Sequence, residues 1–217
     1  MRSDIQGERR MGSMIGRRHV LTVLVAGFLT IASLVAGGGR AQADDAAVQD
    51  FITKLSNQAI QEMSDQQTDA ERIAKLRPVL DEYFDMPAIS KYVLAGYWRK
   101  ATPEQRTEFI NAFADYLSVT YGKRFVKYSG HKLDIKRIHD DGNGRTTAYT
   151  VVQVNNEDPV RVDWIIDTVN SQLRILDFRV EGLSLSDTHR QEFASVIQKN
   201  NGNVQALIDL LHQKSKL

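Results

Sequence analysis

Close to Lys132 the spacing of apolar residues changes from a period of about 3.6 to a period of about 2, so this chain must build helices first and a sheet afterwards. Upstream, Val48, Phe51, Ile52, Leu55 and Ala59 fall on one face of a helix expected to end near Ser64 and Asp65. A second helical stretch starts at Asp69 and carries Ile73, Leu76, Val79, Leu80 and Phe84, with Pro78 expected to kink or restart it. Asp85-Met86-Pro87 reads as an N-cap entry into a short helix through Leu94. The strongest local signal is Thr102-Pro103-Glu104-Gln105, where Thr at N-cap, Pro at the first helical position and Gln at N3 form a capping box. A helix should begin at Pro103 and run to about Phe125, with Phe109, Phe113, Tyr116, Leu117 and Tyr121 on one face.

Downstream, Leu133, Ile135 and Arg137 alternate with Lys132, Asp134 and Lys136, and Asp141-Gly142-Asn143-Gly144 supplies a hairpin turn. A second strand covers roughly Arg145 to Val154, and Asn155-Asn156-Glu157-Asp158 turns the chain into a third. There Val160, Val162, Trp164 and Ile166 share one face, while Arg161, Asp163 and Asp167 take the other. Asn170-Ser171 leads into a fourth strand from Gln172 to Val180. Short connections between consecutive strands give a four-stranded antiparallel meander. Two helices close the chain, one near Asp187 to Lys199 and one from Asn203 onward, separated by Asn200-Asn201-Gly202. The expected fold is α+β, with the helices packed on one face of the sheet and an apolar cavity between the layers.

The first 43 residues read differently. Arg9-Arg10 and Arg17-Arg18 precede an apolar run from Val20 to Ala36, and Ala41-Gln42-Ala43 offers the small-x-small pattern of a signal-peptidase site. We expect a signal peptide over 1–43, cleaved near Ala43/Asp44, and one domain over 44–217 working outside the cytoplasm. Arg17-Arg18 before His19-Val20-Leu21 also resembles a twin-arginine signal, so the secretory and twin-arginine routes both stay open. The leader takes six of the 28 basic and two of the 27 acidic residues, which leaves the remainder near −3. That balance offers no basic footprint for nucleic acid and no polybasic membrane patch. With no cysteine there is no lipoprotein anchor, disulfide framework or thiolate metal site.

Catalytic motifs fail on their mechanical requirements. Ser129-Gly130-His131-Lys132 matches S-x-x-K but lacks the partner motifs that chemistry needs. Gly182-Leu183-Ser184-Leu185-Ser186 has serine where a nucleophile elbow needs glycine. Asp141-Gly142-Asn143 opens like a calcium loop, yet Val152 stands where a bidentate Glu belongs, so it is a turn. His131, His139, His189 and His212 show no metal-ligand spacing. What stands out instead is aromatic density in Tyr92, Tyr97, Trp98 and the helix from Pro103, and such stripes pack as core more often than they line a ligand.

Phe84-Asp85-Met86, Val93-Leu94, the tract from Tyr97-Trp98-Arg99-Lys100-Ala101 to Thr102-Pro103-Glu104-Gln105-Arg106, and Val180-Glu181-Gly182-Leu183-Ser184-Leu185 with Arg190 and Phe193 resemble the MlaC family, the toluene-tolerance auxiliary proteins. The resemblance runs from about Val48 to Leu211. It implies a periplasmic phospholipid carrier with an NTF2-like-related fold, no catalytic residue, no metal and no cofactor beyond bound phospholipid as cargo. The implied partners are an inner-membrane ABC transporter complex bearing an MCE-domain ring and an outer-membrane lipoprotein–porin complex, with the carrier expected to be a monomer. A related branch in hopanoid gene clusters leaves a hopanoid as the alternative cargo.

For the wall of the cavity the helical and strand phases nominate Tyr97, Phe109, Phe113, Leu117, Tyr121 and Phe125 from the helices, with Val152, Val154, Val162, Trp164 and Val180 from the strands. Trp98 could serve instead as a structural plug. Two competing readings remain: an NTF2-like enzyme using Asp163 or Asp177 with a pocket tyrosine on an apolar small molecule, and an adaptor with a solid core that binds only proteins.

Overall fold

The computed structural model describes residues 44–64, 68–122, 131–154 and 158–216. The expected leader over 1–43 and the expected last turn of the long helix, Phe125 included, lie outside the described residues. The order is α1 (Asp45–Ser64), α2 (Asp69–Tyr83), α3 (Met86–Leu94), a 3-10 turn (Ala95–Arg99), α4 (Pro103–Gly122), β1 (Leu133–Gly142), β2 (Arg145–Val152), β3 (Val160–Val169), β4 (Gln172–Val180), β5 (Leu183–Ser184), α5 (Leu185–Lys199) and α6 (Val204–Lys214). The fold is α+β, as expected, but the antiparallel meander has five strands in sequence order rather than four. The extra strand, β5, pairs only Leu183 with Val180 and Ser184 with Arg179.

Local chemistry explains the element ends. Thr102 and Gln105 make the capping box in both directions, each bond 3.2 Å long. Thr68 and Glu71 make a second one at the head of α2. Pro78 does not restart α2, which stays one helix from Asp69 to Tyr83. One lost backbone bond is outweighed by the buried face that Leu76, Val79, Leu80 and Tyr83 form around it. Three hairpins turn on two residues with positive φ, Asn143-Gly144, Asn170-Ser171 and Glu181-Gly182, the geometry that matches the twist of paired strands.

The period-2 reading of β1 slips at Lys136. Ile135 pairs with Thr150 and Arg137 with Tyr149, so Lys136 is an extra residue in a bulge. Ile138, rather than Arg137, therefore shares the helix-facing side with Ile135, and the Arg137 guanidinium lies 4.3 Å from the Tyr149 ring centre on the other face.

Two apolar clusters hold the layers. One joins Val48, Ile52 and Leu55 of α1 and Leu76, Val79 and Leu80 of α2 to Ala148, Ile166 and Ile175 of the sheet. The other is wholly helical, with Val93 and Leu94 of α3, Phe109 and Phe113 of α4, Phe193 and Ile197 of α5, and Leu207, Ile208 and Leu211 of α6. Phe84 and Leu117 pack against both. Asp85 then donates its backbone N–H to the Ile175 carbonyl at 3.0 Å, stitching the α2–α3 junction to β4.

Gly122 closes α4 against α2, where a Cβ would stand 2.9 Å from Ile73 Cγ1 and 3.2 Å from Ile73 Cα. Alanine gains about 1 kcal/mol in helix propensity, but forcing backbone atoms apart costs about 1–3 kcal/mol. Gly122→Ala should therefore lower the urea midpoint and Tm; an increase in either would show that the end of α4 can swing away from α2 freely.

Candidate functional site

The helix-facing side of the sheet is apolar along its whole length but covered over only part of it. At one end Ala148, Ile166 and Ile175 are completely buried beneath α1 and α2. The next row, Ile138, Ala148, Trp164 and Phe178, is set by direct pairing across β1 to β4. Beyond it comes Ile135, Thr150, Val162, Val180 and Leu183, then Leu133, Val152 and Val160. In these outer rows Val152, Val160 and Val180 are half-buried and Leu183 is 72% exposed. Thr150 and Val162 of the same rows are buried, so the accessible apolar surface is confined to the margins of this band.

Aromatic groups border this band from both layers. Trp164 stacks on Phe178 with ring centres 5.7 Å apart, and Phe178 lies 6.2 Å from Phe84 and 6.5 Å from Tyr121 of α4. All four are half-buried. The polar atoms among them are satisfied within the sheet: Trp164 Nε1 donates to Thr150 Oγ1 at 3.1 Å, and that hydroxyl donates to the Val162 carbonyl at 2.7 Å. The remaining lining can offer contacts to hydrocarbon but no unspent hydrogen bond from this pair.

Of the residues nominated from sequence, Leu117, Tyr121, Trp164, Val162, Val180 and Val152 lie on or against the helix-facing side of the sheet, and Val154 is half-buried just past the end of β2. Tyr97, Phe109 and Phe113 sit instead in the helical cluster, where Phe109 and Phe113 stack at 5.6 Å and both meet Phe193 edge-on. Phe84 and Phe178 were not nominated. Phe178 was findable, because Phe178 and Val180 share one phase of the fourth strand and Phe178 pairs directly with Trp164.

His189 of α5 was also missed as a structural residue. It is 4% exposed, stacked on Phe193 at 5.4 Å and edge-on to Phe113, with its Nε2 3.2 Å from the Tyr121 hydroxyl. Its Nδ1 lies 3.4 Å from Glu192. Burial pushes its pKa below the usual 6.5, while the carboxylates of Glu192 and Asp177 oppose the shift. The ring thus ties the last full turn of α4 to α5 as a neutral group.

Neither aspartate of the enzymatic reading faces the apolar space. Asp163 pairs across the sheet with Tyr149 and Arg179 on the opposite face, although it is buried there beside Arg161. Both Asp177 oxygens are engaged at the head of α5, accepting from the Ser184 hydroxyl and the Ser186 N–H. A hollow of about 490 Å³ lies on that same outer face, lined by Asp141, Arg145, Thr147, Tyr149, Ile165 and Arg179 among others, and its walls are mainly polar. Among the described residues there is no grouping of His, Asp and Glu suited to a metal ion, and no helix long and apolar enough to cross a membrane.

A helical layer covers one face of a five-stranded meander and leaves an apolar band there partly exposed. Residues 53–213 match the MlaC protein family, and the chain belongs to it. It is 27% identical over 135 residues to the toluene tolerance protein ttg2D of Pseudomonas putida, a match covering 62% of this chain and 63% of that protein. It is 20% identical over 137 residues to the intermembrane phospholipid transport system binding protein MlaC of Haemophilus influenzae, covering 61% and 63%. The chain thus spans a little under two thirds of the length of these curated relatives. Its fold superposes on a phospholipid-binding protein from Ralstonia solanacearum, solved in complex with a phospholipid, with TM-score 0.68 and 22% identity over 81% of this chain and 97% of that one.

The depressed His189 value has a stability consequence with a definite sign. Above about pH 6.5 the group is neutral whether the chain is folded or not, so it has no effect there. As pH falls, the unfolded chain takes up the proton first, and stability is lost until pH drops below the folded-state value. The urea midpoint of the wild type should fall more between pH 7 and pH 5 than that of His189→Gln; parallel curves would mean that His189 is already solvated in the folded protein.

Proposed function

We propose that this chain is an exported phospholipid carrier whose interlayer apolar space holds acyl tails. The observation that carries the reading is this band: Leu117 and Tyr121 of α4 with Trp164, Phe178 and Val180 of the sheet are apolar, inward-facing and only half-buried. The names of the relatives support it, since one is a phospholipid transport binding protein and the Ralstonia protein holds a phospholipid.

Transfer energies explain the design. Each CH₂ exposed to water costs about 0.8 kcal/mol, so a sixteen-carbon tail carries a penalty on the order of 12 kcal/mol. That penalty prevents a free phospholipid from crossing an aqueous compartment at a useful rate. An apolar lining removes most of it, while the headgroup stays in water at the open end. Selectivity should therefore follow the tails more than the headgroup. No bond to the cargo is made or broken, so neither cofactor nor metal is required and the protein is not an enzyme. Entry needs the layers to part, and α4 from Pro103 is the element to move, because Leu117 contacts both clusters and Tyr121 ends on the His189 contact.

In this reading the 1–43 leader is removed near Ala43 on export, and the carrier shuttles phospholipid between an outer-membrane complex and an inner-membrane ABC transporter complex. The two-residue period of β3 provides a sharp test. Val162→Glu and Val180→Glu place a charge on the inner face and should abolish the phospholipid found by mass spectrometry in protein purified from its own cells. Ile165→Glu, adjacent to Trp164 but on the outer face, should leave the lipid in place. If both inner-face variants keep wild-type circular dichroism and still carry lipid, this wall does not hold the tails; a hopanoid in place of phospholipid would reassign the cargo.

A further inference from the structure

Two rings of α5, one turn apart, meet α4. Phe193 lies edge-on to Phe109, Phe113 and Tyr116, inside the helical cluster. His189, one turn earlier, stacks on Phe193 and stands edge-on to Phe113, Tyr116 and Tyr121, with ring centres 5.4, 5.8 and 6.3 Å away. The Phe193 contact is apolar, whereas the His189 contact is polar, because Nε2 stands 3.2 Å from the Tyr121 hydroxyl. Tyr121 is also where the last turn of α4 reaches the apolar band, 6.5 Å from Phe178. The inner contact can therefore keep α4 and α5 together while the outer one parts.

We infer that the His189–Tyr121 contact is an acid-sensitive latch: the neutral ring holds the last turn of α4 against α5, and a second proton on it frees that turn and speeds exchange of cargo at the apolar band. The surroundings of the ring set the direction. His189 is 4% exposed, and its Nδ1 is buried without a hydrogen bond, the Glu192 carboxylate standing 3.4 Å away. A neutral ring with its proton on Nδ1, toward Glu192, accepts from the Tyr121 hydroxyl at Nε2. Protonating Nε2 removes that acceptor and places a charge among four aromatic rings.

The titratable groups that face the ring are Tyr116 and Tyr121 from α4, Glu192 from its own helix and Asp177 from β4. Burial outweighs the two carboxylates and keeps the His189 pKa below 6.5, since Glu192 is 55% exposed and Asp177 is engaged by Ser184 and Ser186. A proton held more tightly by the freed ring than by the latched one shifts the population toward release. With an ordinary value near 6.5 for the freed ring, the gain one pH unit lower is at most about tenfold. The inference rests on the carrier reading for its consequence, since only a carrier has cargo to exchange; the latch itself belongs to α4 and α5.

The test loads the protein with a fluorescent phosphatidylcholine and follows transfer to phosphatidylcholine vesicles, whose headgroup charge is the same at both pH values used. Wild type should transfer several-fold faster at pH 5.5 than at pH 7.5, and His189→Gln, which cannot take the proton, should transfer at nearly one rate. Glu192→Gln removes a carboxylate that favours the charged ring in the latched state, so its acid acceleration should exceed that of wild type. His212→Gln, in the exposed His212–Glu108 pair between α6 and α4, should respond as wild type does. Amide hydrogen exchange in the last turn of α4, corrected for intrinsic pH dependence, should follow the same order in protein without cargo. Equal transfer and equal protection of wild type at the two pH values overturn the latch, as does an acid response that survives in His189→Gln or shrinks in Glu192→Gln. If wild type takes up no phospholipid the carrier reading fails, and hydrogen exchange still decides the latch.

Discussion

The bond from the Asp85 N–H to the Ile175 carbonyl, with the bridge between Phe84 and Ile175 beside it, fixes the helical layer on β4. It is made at the junction of two helices, where the chain has free backbone groups to offer. From that anchor α2 runs back over the covered end of the sheet, and α3 leads into the helical cluster. Phe84 can then touch both clusters and still reach Phe178. The uncovered half of the sheet follows from the same point: helices tied there protect Ala148, Ile166 and Ile175 but leave Val152, Val160 and Val180 only half-buried.

Leaving such a band bare is costly at about 25 cal/mol per Å² of apolar surface. With no disulfide, the balance has to come from packing elsewhere. The all-helical cluster meets that need with Phe109, Phe113, Phe193, Ile197, Leu207 and Leu211 essentially inaccessible. Both clusters are well buried, the sheet keeps accessible apolar surface mainly at its outer rows, and Leu117 of α4 packs against both clusters. His189 sits beside the helical cluster, neutral and stacked on Phe193 while touching Tyr121.

Much of this was readable from the sequence because short-range rules fix it. The Thr102–Gln105 capping box, the Asp85 cap and the turns at Asn143-Gly144 and Asn170-Ser171 are local, and they occur where expected. Strand β5 was missed because two residues are too few to show a period. The Lys136 bulge was missed because one inserted residue reverses a two-residue phase without changing composition, which moved Arg137 to the wrong face. Pro78 survived in α2 because burial outweighed a local rule. Helical phase likewise placed Phe109, Phe113, Leu117 and Tyr121 on one stripe, but it could not say that α5 and α6 would meet the first two while the sheet approached the others. That division depends on long-range packing, which no local pattern records.

The sheet ends unusually on both sides. Its last strand is two residues long and passes directly into the Ser184 cap of α5, and the Phe84–Ile175 bridge occupies part of the β4 edge beyond it. At the opposite margin β1 carries the bulge and the charged side chains of Asp134 and Lys136. Both margins are poor templates for edge-to-edge growth. The route by which strands propagate into fibres is thereby blunted at each border.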